Sequence, residues 1–267
     1  MSKSILITGA GSGFGEGAAI GLAQKGHNVI ATTQISPQVT PLRHKAEALG
    51  LTNLRVEKLD LHDPYDVAYA QSWDIDVLFN NAGTGECGPV SEIPIDLVRR
   101  NYETNVFAPL VLTQGFVKRW VAEKKKAKIV FTSSMGGLFT PPGYAVYTST
   151  KHALEGIAEA LRQELAPFGI KVQTINPGAY LTGYNETMAD TPFRWLDDSK
   201  NFTKRAEMRA VFDSLLGTAE GRLDPAEMIE AIIQIVPSDE GKFRNVIPQF
   251  VEDLVKKDQA DKWAAQL

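Results

Sequence analysis

A short apolar run near the start of the chain leads directly into a glycine-rich turn and then into a helical pattern. The run Ser4–Thr8 predicts a buried strand, and the turn contains Gly9, Gly13 and Gly15. Glycine lets a backbone approach a pyrophosphate closely, and the free N–H groups at a helix N-terminus bind anions. A strand, a glycine-rich turn and a helix in this order predict a dinucleotide-binding unit, although the spacing departs from the usual G-x-G-x-x-G. The alternative is a flexible loop that holds no ligand.

Apolar runs alternate with helical patterns along most of the 267 residues. The predicted strands are Ser4–Thr8, Asn28–Thr32, Leu54–Lys58, Val77–Asn80, Lys128–Thr132 and Lys171–Ile175, with a seventh near Phe243–Ile247. The predicted helices are Gly13–Lys25, Thr40–Leu49, Pro64–Gln71, Ile95–Trp120 and Tyr147–Ala166. Such alternation is typical of a parallel sheet with helices on both faces. We therefore predict an α/β fold, a Rossmann-like doubly wound sheet of about seven strands, in a single domain over residues 1–267.

A long insertion over residues 183–221 separates the sixth predicted strand from a helix that begins near Pro225. Met208, Phe212 and Leu215 recur at helical spacing, which predicts a helix within the insertion. The segment also holds several aromatic residues. These either line an apolar pocket or form a small core of the insertion itself, and the two interpretations are compatible.

Composition and charge exclude several classes of protein. With 43% hydrophobic residues and a net charge of −4, the chain has the balance of a globular protein and no electrostatic basis for binding nucleic acid or an anionic membrane. No apolar run approaches the ~20 residues that span a bilayer, and the N-terminus lacks a secretion signal. The single Cys87 excludes an internal disulfide, so we expect a cytoplasmic protein. The four histidines do not stand at ligand spacing, so we predict no catalytic metal.

Tyr147 and Lys151 stand one helical turn apart within a predicted helix, and Ser134 lies thirteen residues before Tyr147. Side chains at positions i and i+4 share a helix face, so the ammonium group of Lys151 should lie near the phenol. A tyrosine ordinarily titrates near pH ~10, and a neighbouring cation lowers that pKa. Such a phenol can exchange a proton with an alcohol or carbonyl oxygen, which Ser134 could hydrogen-bond from the side. Ser133 is the competing serine, at a separation of fourteen residues.

Several motifs together resemble those of the short-chain dehydrogenase/reductase family. They are the turn Thr8–Gly15, the run Asn80–Gly83 after an apolar strand, Asn105, the set Ser134, Tyr147 and Lys151, and Pro177–Gly178 with Thr182. They occur in the expected order and span about seven tenths of the chain. The resemblance implies an oxidoreductase that transfers a hydride between NAD(P) and a secondary alcohol or ketone. It also implies that the insertion over residues 183–221 covers the substrate.

The resemblance assigns a role to each residue of the catalytic set. Tyr147 is the general acid in reduction and the general base in oxidation. Lys151 lowers the pKa of the phenol and binds the nicotinamide ribose, while Ser134 steadies the substrate oxygen. Asn105 holds a water that connects Lys151 to solvent. Spacing within the family favours Ser134 over Ser133.

The same resemblance identifies residues that contact the cofactor and the substrate. The cofactor contacts are Gly9, Gly13, Phe14, Gly15, Thr33, Gln34, Asp60, Leu61, Asn81, Ala82, Gly83, Tyr147, Lys151, Pro177, Gly178 and Thr182. The substrate contacts are Ser134, Tyr147, Tyr184 and Trp195. Asp60 would accept a hydrogen bond from the adenine amino group, and its alternative role is to cap the helix that begins at Pro64.

Neutral residues at the end of the second predicted strand bear on the choice of cofactor. An acid there binds the ribose 2′-hydroxyl of NAD and repels the 2′-phosphate of NADP, whereas an Arg attracts the phosphate. Thr33 stands where the family usually places its acid, and Gln34 stands where NADP enzymes place Arg. Ser12 adds no positive charge either. Because the missing acid removes the main barrier to a phosphate, we expect NADP rather than NAD.

Two alternatives to this function remain open in the sequence. A regulator that senses a dinucleotide could keep the fold and lose catalysis, but such proteins typically lose the Tyr or the Lys. Epimerases and dehydratases of sugar nucleotides share the fold, and we expect them to carry a larger C-terminal domain than this chain provides. The resemblance further implies a small-molecule substrate and assembly as a homodimer or homotetramer.

Overall fold

The computed structural model describes residues 1–218 and 221–266, within which seven strands form one sheet. The strands are β1 (Ser4–Ile7), β2 (Asn28–Thr33), β3 (Leu54–Lys58), β4 (Val77–Asn80), β5 (Lys128–Thr132), β6 (Lys171–Pro177) and β7 (Arg244–Ile247). Their spatial order is β3-β2-β1-β4-β5-β6-β7, and neighbouring strands pair in parallel. The strand order reverses between β1 and β4, which is where a doubly wound sheet opens a crevice at its carboxyl edge.

In the described part of the chain, ten α-helices connect and cover the strands. They are α1 (Gly13–Gln24), α2 (Ser36–Ala48), α3 (Pro64–Gln71), α4 (Ile95–Tyr102), α5 (Ala108–Glu123), α6 (Ala145–Leu165), α7 (Tyr184–Asp190), α8 (Arg205–Leu216), α9 (Pro225–Ile235) and α10 (Gln249–Trp263). Ile5 and Ile7 of β1 pack with α1, α2 and α9, whereas Leu6 faces α3, α5 and α6 on the other side. The alternation of side chains along β1 thus supplies two apolar cores. The predicted Rossmann-like parallel sheet with helices on both faces is confirmed.

The long helix predicted over Ile95–Trp120 is interrupted, so this prediction is wrong in its middle. Residues Glu103–Phe107 form a π-helical turn, in which the N–H of Ala108 donates to the carbonyl of Glu103, five residues earlier. Pro109 explains the interruption, because proline has no N–H to donate to the carbonyl four residues before it, that of Asn105. The widened turn places Asn105 at the point where α4 ends and α5 begins.

Helix α2 begins at Ser36, four residues before the predicted start at Thr40. Pro37 lies in its first turn, where a missing N–H costs no helical hydrogen bond and the fixed φ suits the helix. The predicted start was late because the first turn of α2 is polar and exposed, without the apolar repeat that marks a helix.

The insertion carries α7, a 3₁₀ turn over Thr191–Arg194, and α8; its residues 219–220 lie outside the described part of the chain. The predicted helix in the insertion corresponds to α8, whose Met208 and Phe212 are buried. These two residues pack in an apolar cluster with Met188 of α7, and the cluster also reaches Tyr147 of α6. Among the described residues, the helices are too short or too polar to cross a membrane.

Lys128 is a buried cation at the start of β5, with a residue exposure of 2%. Its Nζ donates to the carbonyls of Ile235 and Ser238, each at 2.6 Å, and so binds free carbonyls where α9 ends. Burial lowers the pKa of Lys128 to about 7, and the nearby Lys3 adds to this effect. Lys128 thereby connects the amino edge of the sheet to the C-terminus of α9.

We predict that Lys128→Met lowers the free energy of unfolding. The substitution keeps the apolar stem but leaves two carbonyls without their donor, which costs about 1–3 kcal/mol per buried unsatisfied group. Urea denaturation of the wild type and the variant measures the difference. Lys126→Met, at an exposed position two residues earlier, is the matched control and should leave stability nearly unchanged. Equal stability of the two variants would contradict a structural role for Lys128.

Candidate active site

The end of β1 is joined to the end of β4 by four hydrogen bonds that involve a side chain. The hydroxyl oxygen of Thr8 accepts from the backbone N–H groups of Asn81 and Ala82, both at 3.0 Å. In return, the Asn81 amide donates to the carbonyls of Thr8 and Gly9, both at 3.1 Å. These contacts fix the glycine-rich turn against the loop after β4. Thr8 was not predicted as a site residue, although a threonine at the end of an apolar run was a visible signal.

Gly9 and Gly15 are required by the closeness of this contact. Gly9 has φ +68°, and a Cβ there would lie 2.7 Å from the Cα of Ala82. A Cβ on Gly15 would lie 2.3 Å from the carbonyl oxygen of Gly9 and 2.6 Å from the amide nitrogen of Asn81. Side chains at either position would therefore separate the turn from β4.

A cavity of about 800 Å³ extends from the glycine-rich turn to Tyr147 along the carboxyl edge of the sheet. All sixteen predicted cofactor contacts line it: Gly9, Gly13, Phe14, Gly15, Thr33, Gln34, Asp60, Leu61, Asn81, Ala82, Gly83, Tyr147, Lys151, Pro177, Gly178 and Thr182. Ser134 and Tyr184 line the same cavity. The residues present fit a dinucleotide. The cavity begins at the glycine-rich turn and at the N-terminus of α1, where backbone N–H groups can bind a pyrophosphate.

Some wall residues were missed by the sequence analysis. Gln38, His62 and Arg100 line the cavity without having been predicted. The His62 ring nitrogen Nε2 lies 3.0 Å from the Thr104 hydroxyl. These residues belong to helices and loops whose mutual placement no local motif indicates. His152 of α6, by contrast, is exposed and does not line the cavity.

Tyr147 is buried at the inner end of the cavity, beside the cation of Lys151. The Nζ of Lys151 lies 5.7 Å from the centroid of the phenol ring and donates to the carbonyl of Thr132 at 2.8 Å. Burial raises the pKa of Tyr147 to about 12, against an opposing effect of hydrogen bonding from Ser134. Burial also lowers the pKa of Lys151 to about 8, and the charge of Glu155 opposes this. The predicted lowering of the Tyr147 pKa by Lys151 is wrong, because desolvation raises this pKa and the opposing contributions come from Ser134 and Tyr184.

The two candidate serines differ in what they contact. The hydroxyl of Ser134 accepts from the N–H of Gly136 at 3.0 Å, and it lowers the pKa of the Tyr147 phenol against the effect of burial. The hydroxyl of Ser133 is buried and has no hydrogen-bond partner among the described residues. The geometry therefore favours Ser134 as the serine that shares an oxygen with Tyr147.

Asn105 lies behind the cavity wall rather than in it. Its Oδ1 accepts from the N–H of Thr84 at 2.8 Å, and its Nδ2 donates to the Thr84 carbonyl and to the Thr150 hydroxyl. The side chain thus connects the loop after β4 to α6. The role of Asn105 in holding a water stays a prediction.

The two predicted substrate contacts in the insertion occupy different places. The ring centroid of Tyr184 lies 6.0 Å from that of Tyr147, so Tyr184 faces the reacting end of the cavity. Trp195 does not line the cavity and packs over Gly88, where a Cβ would lie 2.5 Å from the indole ring.

Cys87 is fully buried in the apolar cluster that contains Tyr147 and Met188. Burial raises the pKa of its thiol, which makes Cys87 a poor nucleophile. Across the described residues, no three His, Cys, Asp or Glu side chains cluster to hold a metal.

Comparison with known proteins gives consistent matches. The short chain dehydrogenase family model matches residues 3–192. The uncharacterized oxidoreductase YusZ of Bacillus subtilis (strain 168) is 35% identical over 246 residues, which cover 88% of this chain and 85% of that protein. Estradiol 17-beta-dehydrogenase 1 of Rattus norvegicus is 30% identical over 243 residues, covering 87% and 70%. A short chain dehydrogenase/reductase from Burkholderia phymatum, solved in complex with NAD, has a TM-score of 0.81 at 23% identity, covering 98% and 95%.

The chain belongs to the short-chain dehydrogenase family, because the family model matches more than half of its length. Like the relatives named above, it is therefore an oxidoreductase. The resemblance inferred from the sequence motifs is confirmed.

We predict that Gly15→Ala weakens dinucleotide binding at least tenfold, or by about 1.4 kcal/mol. The new methyl group would displace the Gly9 carbonyl and the Asn81 amide, which together shape the turn. Fluorescence titration of the reduced cofactor measures the affinity. Gly156→Ala is the control, because this helical glycine has open space around its Cβ position. Unchanged affinity in Gly15→Ala would show that the turn does not hold the cofactor.

Proposed function

We propose that this protein transfers a hydride between NADP and an apolar secondary alcohol or ketone, with Tyr147 as the general acid–base. The observation that carries the proposal is the buried Tyr147 phenol between Ser134 and Lys151, at the inner end of a cavity lined by all the expected dinucleotide contacts. A regulator without catalysis has no need of this arrangement.

The chain's own groups would divide the reaction between binding, orientation and proton transfer. The dinucleotide supplies or accepts the hydride. The hydroxyls of Ser134 and Tyr147 hold the substrate oxygen, and in reduction the proton of Tyr147 passes to that oxygen. That transfer leaves Tyr147 as a phenolate, which the ammonium of Lys151 would stabilise, and in oxidation this phenolate takes the proton from the alcohol and becomes the neutral phenol. Asn105 would hold a water on the route from Lys151 to solvent.

Neutral groups at the end of β2 support NADP over NAD. Thr33 and Gln34 both line the cavity, and the Thr33 hydroxyl donates to the carbonyl of Ile35 at 3.3 Å. Since neither side chain is a carboxylate, nothing at these two positions repels a 2′-phosphate. Asp60 lies in the same wall, where its carboxylate could accept from the adenine amino group.

The apolar cluster around the phenol supports an apolar substrate. Tyr184 lines the cavity beside Tyr147, and both rings pack in one cluster with Met188 and the fully buried Cys87, which lie behind the cavity wall. Estradiol 17-beta-dehydrogenase 1, one of the relatives, acts on a ring-containing alcohol by its name. A secondary alcohol or ketone on a ring or an apolar chain fits both observations.

The exposed surface of α5 supports assembly as a homodimer or homotetramer. Phe107 is 50% exposed and Val111 is 52% exposed, and these apolar side chains lie one turn apart. Burial of such side chains against a second copy would be favourable. The single cysteine remains the support for a cytoplasmic location.

We predict that Tyr147→Phe lowers turnover by at least ~10²-fold, because the ring is kept and the transferable proton is removed. Absorbance of the reduced nicotinamide, with a panel of apolar alcohols and ketones, measures turnover. Cofactor affinity should stay within a few-fold of the wild type. Tyr144→Phe is the matched control, since it removes a buried hydroxyl that has no partner among the described residues. Near-normal turnover in Tyr147→Phe would remove the proposed mechanism.

We further predict that two substitutions move cofactor preference in opposite directions. Thr33→Asp should favour NAD, because its carboxylate would repel the 2′-phosphate. Gln34→Arg should favour NADP through charge-assisted hydrogen bonds, by about 1.5–3 kcal/mol. The measurement is the ratio of kcat/KM with the two cofactors for the wild type and both variants. An unmoved ratio in both would mean that the ribose is not bound at these positions.

A further inference from the structure

The carboxylate of Glu155 is buried one helical turn after Lys151 on α6, with a residue exposure of only 5%. Its Oε1 accepts from the Asn176 amide at 2.6 Å, and its Oε2 accepts from the Nε of Arg244 at 2.8 Å. Glu155 therefore connects α6 with the last residues of β6 and the first residue of β7. The proposed proton transfer does not use this carboxylate, so its burial one turn from Lys151 needs another explanation.

Asn176 links Glu155 to Ser134, the serine of the proposed catalytic set. The Nδ2 of Asn176 also donates to the backbone carbonyl of Ser134 at 3.1 Å. Its Oδ1 accepts from the Thr174 hydroxyl at 2.9 Å, so both ends of the amide are held. Asn176 also directly precedes Pro177, which lines the cavity. The position of Ser134 thus depends on an amide that Glu155 orients.

We propose that Glu155 is a positioning residue, which holds Ser134 in place through Asn176 and keeps Lys151 charged through its own negative charge. In its effect on turnover this inference rests on the proposed function, because it concerns the same site. Neither effect requires Glu155 to touch the substrate or the cofactor.

The charges around Lys151 make Glu155 the group with the largest influence. On α6 itself, Lys151 faces the phenol of Tyr147 and the carboxylate of Glu155. The other groups around Lys151 are neutral: the Thr132 carbonyl of β5, the amide of Asn105 and the backbone of Gly83. Burial lowers the pKa of Lys151 to about 8, and the charge of Glu155 is the opposing effect.

Arg244 is the counter-ion of Glu155 and shields part of its charge from Lys151. Its side chain is 36% exposed, against 7% for Glu155, so the pair lies at the boundary between the core and solvent. From β6 the carboxylate accepts from the neutral amide of Asn176, and the Cγ of Glu155 lies close to Gly137 in the loop after β5. Removing Arg244 should therefore strengthen the negative field at Lys151, whereas neutralising Glu155 should remove it.

The test compares two variants that break the same ion pair, Glu155→Gln and Arg244→Gln. The pKa of Lys151 is read from its ¹³Cε resonance during a pH titration without cofactor, and the resonance is assigned by its loss in Lys151→Met. We expect Glu155→Gln to lower this pKa by about one pH unit, the small end of the effect of a neighbouring charge. We expect Arg244→Gln to raise it. An ion pair that serves only stability would lower the melting temperature in both variants and leave the Lys151 titration unmoved.

Turnover adds a second measurement that depends on the proposed function. In Glu155→Gln the alkaline limb of kcat/KM should move to lower pH, because Lys151 loses its proton earlier. Asn176→Ala should lower kcat more than it changes KM, without moving the Lys151 titration. An unmoved titration in Glu155→Gln overturns the charge effect, and normal kcat in Asn176→Ala overturns the positioning of Ser134. If Glu155→Gln does not fold, Arg244→Gln still decides, since a Lys151 pKa that does not rise overturns the charge effect.

The two proposals can fail separately. The NMR titration needs no turnover, so it reports on Glu155 and Lys151 even if Tyr147 has no catalytic role. Conversely, a loss of turnover in Tyr147→Phe together with an unmoved Lys151 titration would keep the proposed function and remove the role of Glu155.

Discussion

The contact between the end of β1 and the end of β4 is the constraint on which the site depends. Parallel strands end with free backbone groups at the same edge of a sheet, and these groups need partners when they are buried. Here Thr8 and Asn81 supply them through short side chains that bind backbone in both directions. The reach of such side chains is short, so the two strand ends must nearly touch. Glycine at positions 9 and 15 follows from that closeness, and the start of α1 is fixed over the opening.

Burial then decides the chemistry available at the inner end of the cavity. Removing water makes charge unfavourable on both Tyr147 and Lys151, which raises the pKa of Tyr147 and lowers that of Lys151. The surrounding structure opposes desolvation through the hydroxyl of Ser134, the carbonyl of Thr132 and the carboxylate of Glu155. With the charge of Glu155 included, the pKa of Lys151 is about 8, so its amine keeps its charge at neutral pH beside a neutral phenol. The charge states at the inner end of the cavity are thus a balance between exclusion of water and a few polar contacts.

The sequence predicted the elements that depend on local pattern. The strands were identified within one or two residues, because buried parallel strands consist of continuous apolar runs. The cavity contacts were identified as well, since the motifs lie at strand ends that the topology brings together. The interruption at residues 103–107 was missed, although Pro109 was a visible signal for it. The start of α2 was predicted four residues too late, and apart from Pro37 the sequence held no comparable signal for its true position.

The network around Glu155 shows why other features could not be predicted. Glu155, Asn176 and Arg244 lie on three elements separated by many residues, and each looks like an ordinary polar residue in its own segment. Only the packing of α6 against the sheet makes the three meet. Trp195 illustrates the same limit, because its aromatic character suggested a pocket wall while its actual neighbours are in the apolar cluster of the insertion.

The aromatic residues of the insertion were expected either to line a pocket or to form a small core, and the structure contains such a core next to Tyr147. The insertion's side chains Met188, Met208 and Phe212 form a core of their own, and that core also includes the buried ring of Tyr147. These three side chains do not line the cavity, so they act on Tyr147 from behind by excluding water from its phenol, whereas Tyr184 of the same insertion lines the cavity. A change in the insertion that loosens this core therefore changes the desolvation of Tyr147, and with it the pKa of its phenol. The packing of the insertion and the titration of Tyr147 are consequently coupled, because the same apolar contacts determine both.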